Sequence, residues 1–392
     1  MEPLISGFDN TEIAFRHYSG HDLRKARLLF QTLSKPWIVK TGKVLMNFAL
    51  QTGIPVDWAV KPTIYSHFVG GFTLSDCEPV VNNLANYRVH SILDYSVEGK
   101  HDEKSMQLTL DETLRSIKNA AGNPHIPFAV FKPTAFASHK LLDEASPDKP
   151  LNNIMLAEFE KFKNRIEILC SAASQSGVPL MIDAEDSWYQ HLVDEVVESM
   201  MQKFNKEKAI VFNTLQMYRH DRIAFLKKSI SKAKEGKYFL GVKFVRGAYM
   251  EKERFRAAEM GYPSPIHPDK AATDKAFDEA LNISVNNLDV VEIFCGSHNE
   301  NSNQLLANEM DRLNIPRDDR RIWFAQLFGM SDHISFNLAN AGFNVAKYVP
   351  YGPVKSVMPY LIRRAEENTS IAGQTSRELL LIQTELKRRK LA

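Results

Sequence analysis

The sequence predicts an α/β fold, a (βα)8 barrel of the TIM type with an N-terminal helical extension. Nine short apolar segments recur after about residue 60, and they end in polar or glycine residues, as parallel strands buried on both faces do. Their spacing of roughly 25 to 50 residues leaves room for a helix between each pair. A chain of 392 residues can hold one such barrel with extensions.

The elements follow in order along the chain. Two helical patterns come first, at 23–33 and 44–51, with Pro36 and Gly53 as breaks. The candidate strands are then HFVGG (67–71), ILDYS (92–96), FAVFKPT (128–134), LMIDAE (180–185), VFNTLQMY (211–218), GVKFVRGAY (241–249), VEIFCGSH (291–298), WFAQLFGM (323–330) and NVAKYVPYG (344–352). A (βα)8 barrel uses eight, so one candidate lies outside the ring. A doubly wound open sheet is the alternative, although no GxGxxG motif follows any of these strands.

We expect three regions in the chain. Residues 1–60 form the helical extension, 61–370 the barrel and 371–392 a C-terminal helix. That helix is amphipathic with a basic end, so it is either a solvated terminal helix or a peripheral membrane contact.

Composition and charge narrow the classes of protein. The chain is 44% hydrophobic and 24% charged, as expected for a protein with a large core, and its net charge of +2 gives no signal for nucleic acid. Cys77, Cys170 and Cys295 are isolated, which indicates neither a disulfide framework nor a metal site. With no apolar run of about 18 residues and no evident signal or transit peptide, we expect a cytoplasmic protein.

The stretch KYVPYGPVKSVMPYLIRRAEEN (347–368) is the most informative part of the chain. It predicts a buried strand, a Pro-Gly-Pro turn and a helix with an apolar stripe. A second face of that helix carries Tyr360, Arg363, Arg364 and Glu367. Two adjacent guanidinium groups suit the capture of a carboxylate or phosphate. The alternative is a solvated helix edge with surface ion pairs.

Barrel enzymes carry their functional groups at the carboxyl ends of strands. Cationic groups dominate there and would attract a small anion. Asp183 could neutralise one of these cations or hold an ammonium group. The polar and aromatic side chains at these ends are Lys132, Asp183, Glu185, Gln216, Lys243, Arg246, Tyr249, His298, Gln326 and Tyr351. Each also has a structural alternative, such as a loop lysine or a helix-capping aspartate. Gly247 and Ala248 would let backbone approach a ligand closely.

Taken together and in order, the motifs resemble the proline dehydrogenase family, in its stand-alone, mitochondrial-like branch. The matching segments are FKPTA, IDAE, TLQMY, KFVRGAY, the Ser297-His298-Asn299 turn, AQLFGM and YVPYGPVKSVMPYLIRRAEEN. The resemblance implies a distorted (βα)8 barrel that binds FAD and oxidises L-proline to Δ1-pyrroline-5-carboxylate. This is the first step of proline catabolism to glutamate. It also implies a quinone as the next electron acceptor, and hence peripheral contact with the inner membrane.

The resemblance also assigns roles to individual residues. Asp183 and Lys243 correspond to catalytic positions, and Lys132, Arg363 and Arg364 to the cations that bind the substrate carboxylate. The proline ring is enclosed by Tyr351, Tyr360 and Leu327. The implied FAD contacts are Ala184, Gln216, Lys243, Arg246, Gly247, Ala248, Ser297, His298 and Glu367. Lys243 replaces an arginine common in bacterial members, and Ser297 replaces a threonine.

The implied mechanism is hydride transfer to the flavin N5, with Lys243 stabilising the charge that develops and Arg246 holding the pyrophosphate. Tyr351 would leave little room for a 4-hydroxyl group on the substrate ring. Two other classes remain open on the residues alone. One is a lysine-dependent aldolase using Lys132 or Lys243 as Schiff-base nucleophile. The other is a non-catalytic amino-acid binder, which would need the carboxylate grip but no cofactor.

Overall fold

A computed structural model of the chain describes residues 7–52, 54–96, 102–144, 151–370 and 374–391. The chain forms two compact units, one comprising residues 1–98 and 326–392 and the other residues 99–325. Within the described ranges, no helix is long and apolar enough to cross a lipid bilayer.

Eight strands alternate with helices along the chain, which confirms the predicted (βα)8 fold class. Their order in the sheet is β1-β8-β7-β6-β5-β4-β3-β2, and β1 pairs with β8 in parallel, as do consecutive strands from β2 to β7. The strands are β1 (Val89–Tyr95), β2 (Ala129–Phe131), β3 (Leu180–Ile182), β4 (Val211–Gln216), β5 (Leu240–Val245), β6 (Val291–Gly296), β7 (Ile322–Leu327) and β8 (Val345–Tyr351).

The helices lie between and around these strands. They are α1 (Thr11–Ala14), α2 (Gly20–Leu33), α3 (Pro36–Thr52), α4 (Asp57–Val60), α5 (Ser66–Phe68), α6 (Glu78–Ala85), α7 (Glu103–Ala121), α8 (His139–Glu144), α9 (Asn153–Ser176), α10 (Gln190–Phe204), α11 (Arg222–Gly236), α12 (Met250–Met260), α13 (Lys270–Val285), α14 (Glu300–Arg312), α15 (Asp332–Asn340), α16 (Val354–Ser370) and α17 (Gln374–Arg388). A π-helical turn at Lys61–Tyr65 and 3-10 turns at Ser75–Cys77 and Pro133–Phe136 complete the elements.

The segment 67–71 is the candidate strand that does not form one. Its first two residues end α5, and only Gly71 makes a single parallel bridge, to Tyr351. The chain approaches β8 closely here, because a Cβ atom on Gly70 would lie 2.4 Å from the Val349 side chain. Gly70 and Gly71 therefore allow the backbone to pack closely against β8. Glycines that follow an apolar run also occur at strand ends, so the sequence pattern of this segment resembles that of a strand.

In the unit of residues 99–325, the strands are held by a core of aromatic and branched side chains. The ring of Phe128 lies edge-on to the rings of Phe212, Phe294 and Trp323, with centroids 5.5, 5.2 and 5.3 Å away. Edge-to-face contacts of this kind add to the free energy gained by burying the rings. This core fixes the strands whose carboxyl ends carry the polar groups described below.

In the other unit, α16 is held by the apolar stripe that its sequence predicts. Val354, Val357 and Leu361 are buried in a cluster that also includes Phe68 and Met330. Because this stripe is packed, the orientation of α16 is fixed, and with it the direction of the face that carries Arg363 and Arg364.

The C-terminal helix α17 is covered on its apolar side. Leu381, Ile382 and Leu386 pack against α1 and α2, where Phe15 and Leu23 are fully or almost fully buried. The apolar stripe of α17 is therefore already used within the protein and is not available to a membrane.

Candidate active site

Asp183 and Lys243 form a buried ion pair between β3 and β5, the strands on either side of β4. Lys243 Nζ lies 2.6 Å from Asp183 Oδ1. Asp183 directly follows β3, and its N–H donates to Phe131 O, while Lys243 lies within β5 and is almost fully buried. The pairing that the sequence allowed, in which Asp183 neutralises one cation, is thus present. Because both charges are largely removed from water, each depends strongly on the other.

Lys132 lies close enough to Glu185 for an electrostatic interaction. Burial raises the pKa of Glu185 to about 7, although hydrogen bonds from Thr134 and the charge of Lys132 act in the opposite direction. The N–H of Thr134 donates to Glu185 Oε2 over 3.1 Å. Glu185 lies at a predicted strand end, where no role was expected for it. Its position two residues after Asp183 in the IDAE segment was the available signal.

Gln216 connects β4 to the segment after β3. Its Nε2 donates to the carbonyl oxygens of Ala184 and Glu185, at 3.4 and 3.0 Å. The side chain is buried, yet within the ranges that the structure describes no donor reaches its Oε1, and the same holds for Thr214 Oγ1. Buried polar atoms are normally satisfied, so these two oxygens fit a bound group that donates hydrogen bonds.

Arg246 is held by a ring of oxygen atoms. Its Nε pairs with Asp274 Oδ1 at 2.6 Å. Nη1 donates to the hydroxyl group of Ser297 and Nη2 to that of Ser302, each over 2.8 Å. The guanidinium also lies over the ring of Phe277. The structure thus brings Arg246 and Ser297 together, as the resemblance implies. Asp274 and Ser302 come from α13 and α14, and no sequence motif marked them.

Gly247, which is half-buried, and Ala248, which is exposed, form the turn after β5. Gly247 has a φ of +119°, and a Cβ atom built there would lie 2.6 Å from the ring of Tyr218. The turn is also fixed by the N–H of Tyr218, which donates to Arg246 O over 2.8 Å. Only glycine suits this position, because it combines a positive φ with close packing against the Tyr218 ring.

The helix after this turn, α12, begins with its own acidic groups. Glu253 is fully buried and accepts hydrogen bonds from the N–H and the hydroxyl of Ser187, at 2.7 and 2.5 Å. Burial raises the pKa of Glu253. Glu253 lies in the first turn of α12, where a carboxylate is favoured by the positive end of the helix dipole.

The aromatic and arginine groups lie in the other unit. Tyr351 ends β8, is fully buried and has its ring 5.3 Å from that of Tyr95. On α16, the Arg364 guanidinium carbon lies 5.1 Å from the centre of the Tyr360 ring. Arg363 is half-buried, and the side chain of Glu367 lies outside the described residues.

Leu327 ends β7 and packs against the apolar cluster of α16, to which Tyr360 also belongs. The turn that follows it is held by Lys347, a fully buried lysine whose Nζ lies 2.6 Å from Asp332 Oδ1 and donates to the carbonyl oxygens of Leu327 and Met330. Although burial opposes it, the nearby Lys347 and His17 hold the pKa of Asp332 well below its ordinary value. This network positions Leu327 and was not evident from the sequence.

The predicted site residues therefore fall into two groups, each with defined geometry. The first, within residues 99–325, contains Lys132, Asp183, Ala184, Gln216, Lys243, Arg246, Gly247, Ala248, Ser297 and the half-exposed His298. The second, within residues 326–392, contains Leu327, Tyr351, Tyr360, Arg363 and Arg364. Among the described residues, no group of three or more histidine, cysteine, aspartate or glutamate side chains could hold a metal ion. Parallel strands with buried charged groups at their carboxyl ends define an α/β-barrel enzyme.

Comparison with known proteins identifies the family to which the chain belongs. A family profile described as proline dehydrogenase matches residues 77–377. The chain belongs to the proline dehydrogenase family, a flavin-dependent family of oxidoreductases.

Individual relatives agree with this membership. The chain is 40% identical over 235 residues to mitochondrial proline dehydrogenase 1 of Homo sapiens, covering 59% of this chain and 39% of that protein. It is 31% identical over 399 residues to mitochondrial proline dehydrogenase 1 of Arabidopsis thaliana, covering 91% and 79%. It is also 34% identical over 327 residues to the carbapenem antibiotics biosynthesis protein CarD of Pectobacterium carotovorum, covering 83% and 84%. The chain thus spans less than half of the human relative.

Solved structures share the fold. Proline utilization A from Bdellovibrio bacteriovorus, in a form inactivated by N-propargylglycine, matches with a TM-score of 0.75 and 20% identity. The match covers 95% of this chain and 42% of the other.

Proposed function

We propose that this protein oxidises L-proline to Δ1-pyrroline-5-carboxylate, with FAD as the hydride acceptor. The family match over residues 77–377 carries the proposal. The buried charges at the strand ends support it, because they provide the polar surroundings that a flavin reaction needs.

FAD fits the residues of the first group. Gln216 Oε1 and Thr214 Oγ1 are buried acceptors that no described donor reaches. When bound, FAD would supply a ring nitrogen that accepts the hydride. The residues that we assign to holding it are Ala184, Gln216, Lys243, Arg246, Gly247, Ala248, Ser297, His298 and Glu367.

Lys243 would act through the charge of its Nζ. The pair with Asp183 keeps this ammonium group in one position within a buried environment, where a charge acts more strongly than in water. A fixed positive charge stabilises negative charge that develops nearby during the reaction. Lysine provides a compact charge here, whereas an arginine would offer a planar fork.

Arg246 would bind the pyrophosphate of FAD. Its guanidinium already has fixed oxygen partners in Asp274, Ser297 and Ser302, so its orientation is set before a ligand arrives. A diphosphate bound here would share or replace the serine contacts.

Arg363 and Arg364 would bind the carboxylate of proline. Adjacent guanidinium groups offer paired N–H donors to a carboxylate, and the packing of α16 fixes their direction. Lys132 is the third cation that we assign to the same role. Nearby positive charge also lowers the pKa of the substrate ammonium, which must lose its proton before the hydride leaves.

Tyr351, Tyr360 and Leu327 would enclose the proline ring. Each is buried or half-buried on an element that packing holds rigidly. We also propose a membrane quinone as the acceptor of the electrons from the reduced enzyme, which would bring the protein to the surface of a membrane.

The first test is an anaerobic absorption spectrum of the purified protein, taken before and after addition of L-proline. We expect a bound flavin whose long-wavelength band bleaches. Arg363→Ala should raise the proline concentration needed for half-bleaching by at least about tenfold, because one paired charge contact is lost. Arg312→Ala is the matched control, since Arg312 is exposed on α14 and, among the described residues, forms an ion pair with Glu309 alone.

Other results would contradict the proposal in distinguishable ways. A flavin that proline leaves unbleached removes the substrate and keeps the cofactor. A colourless protein that FAD cannot reconstitute removes both. In that case, trapping of a substrate adduct with borohydride would indicate the lysine-dependent aldolase, and proline binding without chemistry would indicate the binder.

A further inference from the structure

Helix α3 is apolar on two opposite sides, and the described parts of the chain cover only one of them. Val39 and Met46 pack against the cluster that holds α16. Trp37, Val44 and Phe48 are spaced by seven and four residues, so they share the opposite face, and they are 68, 63 and 58% exposed. A helix with apolar residues all round is normally buried on both sides.

Along the chain, the exposed apolar residues are concentrated in the segment that contains this helix. Fifteen large hydrophobic side chains are exposed in the described parts of the chain, and seven of them lie between residues 28 and 58. Besides the outer face of α3, these include Leu28 and the most exposed of all, Trp58, at 80%. Exposed apolar residues scattered singly need no explanation, but such a concentration marks an interaction surface.

The segment that contains α3 is basic between two aspartates, Asp22 and Asp57. Residues 23–56 contain six basic side chains and no aspartate or glutamate, although the chain as a whole is almost neutral. The six are Arg24, Lys25, Arg27, Lys35, Lys40 and Lys43. Only Lys43 forms an ion pair with another described residue, Glu366. The other five charges are available to an external anion.

We propose that the outer face of α3 and the basic side chains of residues 23–56 form a docking surface for an anionic lipid bilayer. Helices that lie in a membrane interface combine a bulky apolar face with lysine and arginine at its margin, and tryptophan is favoured at the depth of the headgroups. Trp37 and Trp58 provide the tryptophan, and Lys40 lies beside the exposed face of α3. A 17-residue helix is about 25 Å long, enough to lie flat along the headgroup layer.

The charge pattern favours a bilayer over a second copy of this chain. A symmetric contact would bring the same basic residues of two copies together, with no acidic residue of the segment to neutralise them. An anionic surface instead attracts each lysine or arginine. The C-terminal helix is the weaker candidate, because its apolar stripe packs against α1 and α2.

This inference rests on exposure and charge and not on the proposed reaction, so it is tested without substrate. The purified holoprotein is floated with vesicles of phosphatidylcholine alone or mixed equally with phosphatidylglycerol. We expect binding to the mixed vesicles, weakened by salt. Trp37→Ser/Phe48→Ser should reduce the partition coefficient by at least about tenfold, and Lys40→Glu by about fivefold or more.

Two control variants have matched exposure. Leu380→Ser changes a side chain on α17 that is 55% exposed, and Phe255→Ser changes one on α12 that is 69% exposed. Both should bind vesicles as the unchanged protein does. Quenching of tryptophan fluorescence by brominated lipid gives a second measurement, which should fall in Trp37→Phe even if the double variant folds poorly.

The outcomes separate the alternatives. Binding that is lost in the α3 variants and kept in both controls supports the docking surface. Absence of binding to anionic vesicles overturns it. So does binding that Leu380→Ser abolishes and the α3 variants do not. Dimerisation in solution that Trp37→Ser/Phe48→Ser abolishes would assign the same face to a second copy.

Discussion

The buried Asp183–Lys243 ion pair makes the stability of the protein depend on both of its members. Lys243→Met would leave the largely buried Asp183 carboxylate without its partner, which should cost about 3–5 kcal/mol in the free energy of unfolding. The double variant Asp183→Asn/Lys243→Met should be less destabilised than the sum of the two single changes, as measured by urea unfolding.

The control is an exposed pair of the same type. Lys227→Met breaks the contact with Glu279, in which both side chains are about half-exposed, and should cost less than about 1 kcal/mol. Equal effects at Lys227 and Lys243 would show that burial does not strengthen the inner pair.

Tyr351 tests the proposed choice of substrate. Its fully buried phenol ends β8, and Tyr351→Ser would open space where a 4-hydroxyl group could fit. We expect the ratio of kcat/KM for 4-hydroxyproline to that for proline to rise about tenfold or more. Because both values come from the same preparation, a change in the folded fraction cancels. An unchanged ratio would remove Tyr351 from the determinants of specificity.

Glu185 predicts a dependence of stability on pH. Burial raises its pKa from 4.5 to about 7, so between these values the folded protein holds a proton that the unfolded chain has lost. The contribution of Glu185 to stability is therefore present below about pH 4.5 and is lost as the pH rises to about 7. Glu185→Gln does not titrate, so its free energy of unfolding should gain on that of the unchanged protein across this range. Parallel pH profiles of the two proteins would contradict this assignment.

At the scale of elements, the turn between β5 and α12 depends on one glycine. Gly247→Ala would combine a positive φ with a clash against the Tyr218 ring and should cost about 1–3 kcal/mol. Because we assign this turn to FAD, the affinity for FAD should fall as well, measured by titration of the apoprotein.

Gly261→Ala is the control for that change. Gly261 follows the same helix and has a φ of +73°, but no atom lies within 4 Å of a Cβ built there. It should cost about 1 kcal/mol through backbone strain alone and leave FAD binding unchanged. If both variants bound FAD equally well, the turn would have no part in the cofactor site.

The elements also show how far the sequence could predict this protein. Eight strands and the helix with Arg363 and Arg364 were predicted because periodicity and chain punctuation are local signals. The segment 67–71 was wrongly included among the candidate strands, since glycines required by close packing resemble a strand end. The partners of Arg246 could not be predicted, because Asp274 and Ser302 lie 28 and 56 residues away and only the packed helices bring them close.

At the scale of the whole chain, Arg389 joins its two ends. It donates to the carbonyl oxygens of Phe15 and Tyr18, over 2.8 and 2.7 Å, and pairs with the fully buried Glu385. Arg389→Ala should lower the free energy of unfolding by about 1–3 kcal/mol, since two part-buried carbonyl oxygens and the buried Glu385 carboxylate lose a donor.

Arg388→Ala is the appropriate comparison. Arg388 also pairs with Glu385, but its side chain is 43% exposed. It should cost less than about 1 kcal/mol in thermal or urea unfolding. A cost equal to that of Arg389→Ala would mean that the contacts with Phe15 and Tyr18 contribute nothing.

The contact between Phe15 and Arg389 spans 374 residues, and this separation matters during synthesis. A ribosome adding about 5–20 residues per second needs roughly 20 to 75 seconds to pass from one to the other. Throughout that interval, the apolar sides of α1 and α2 lack the helix that finally covers them. Nascent chains of this protein should therefore expose the apolar sides of α1 and α2 to chaperones until α17 has been synthesised.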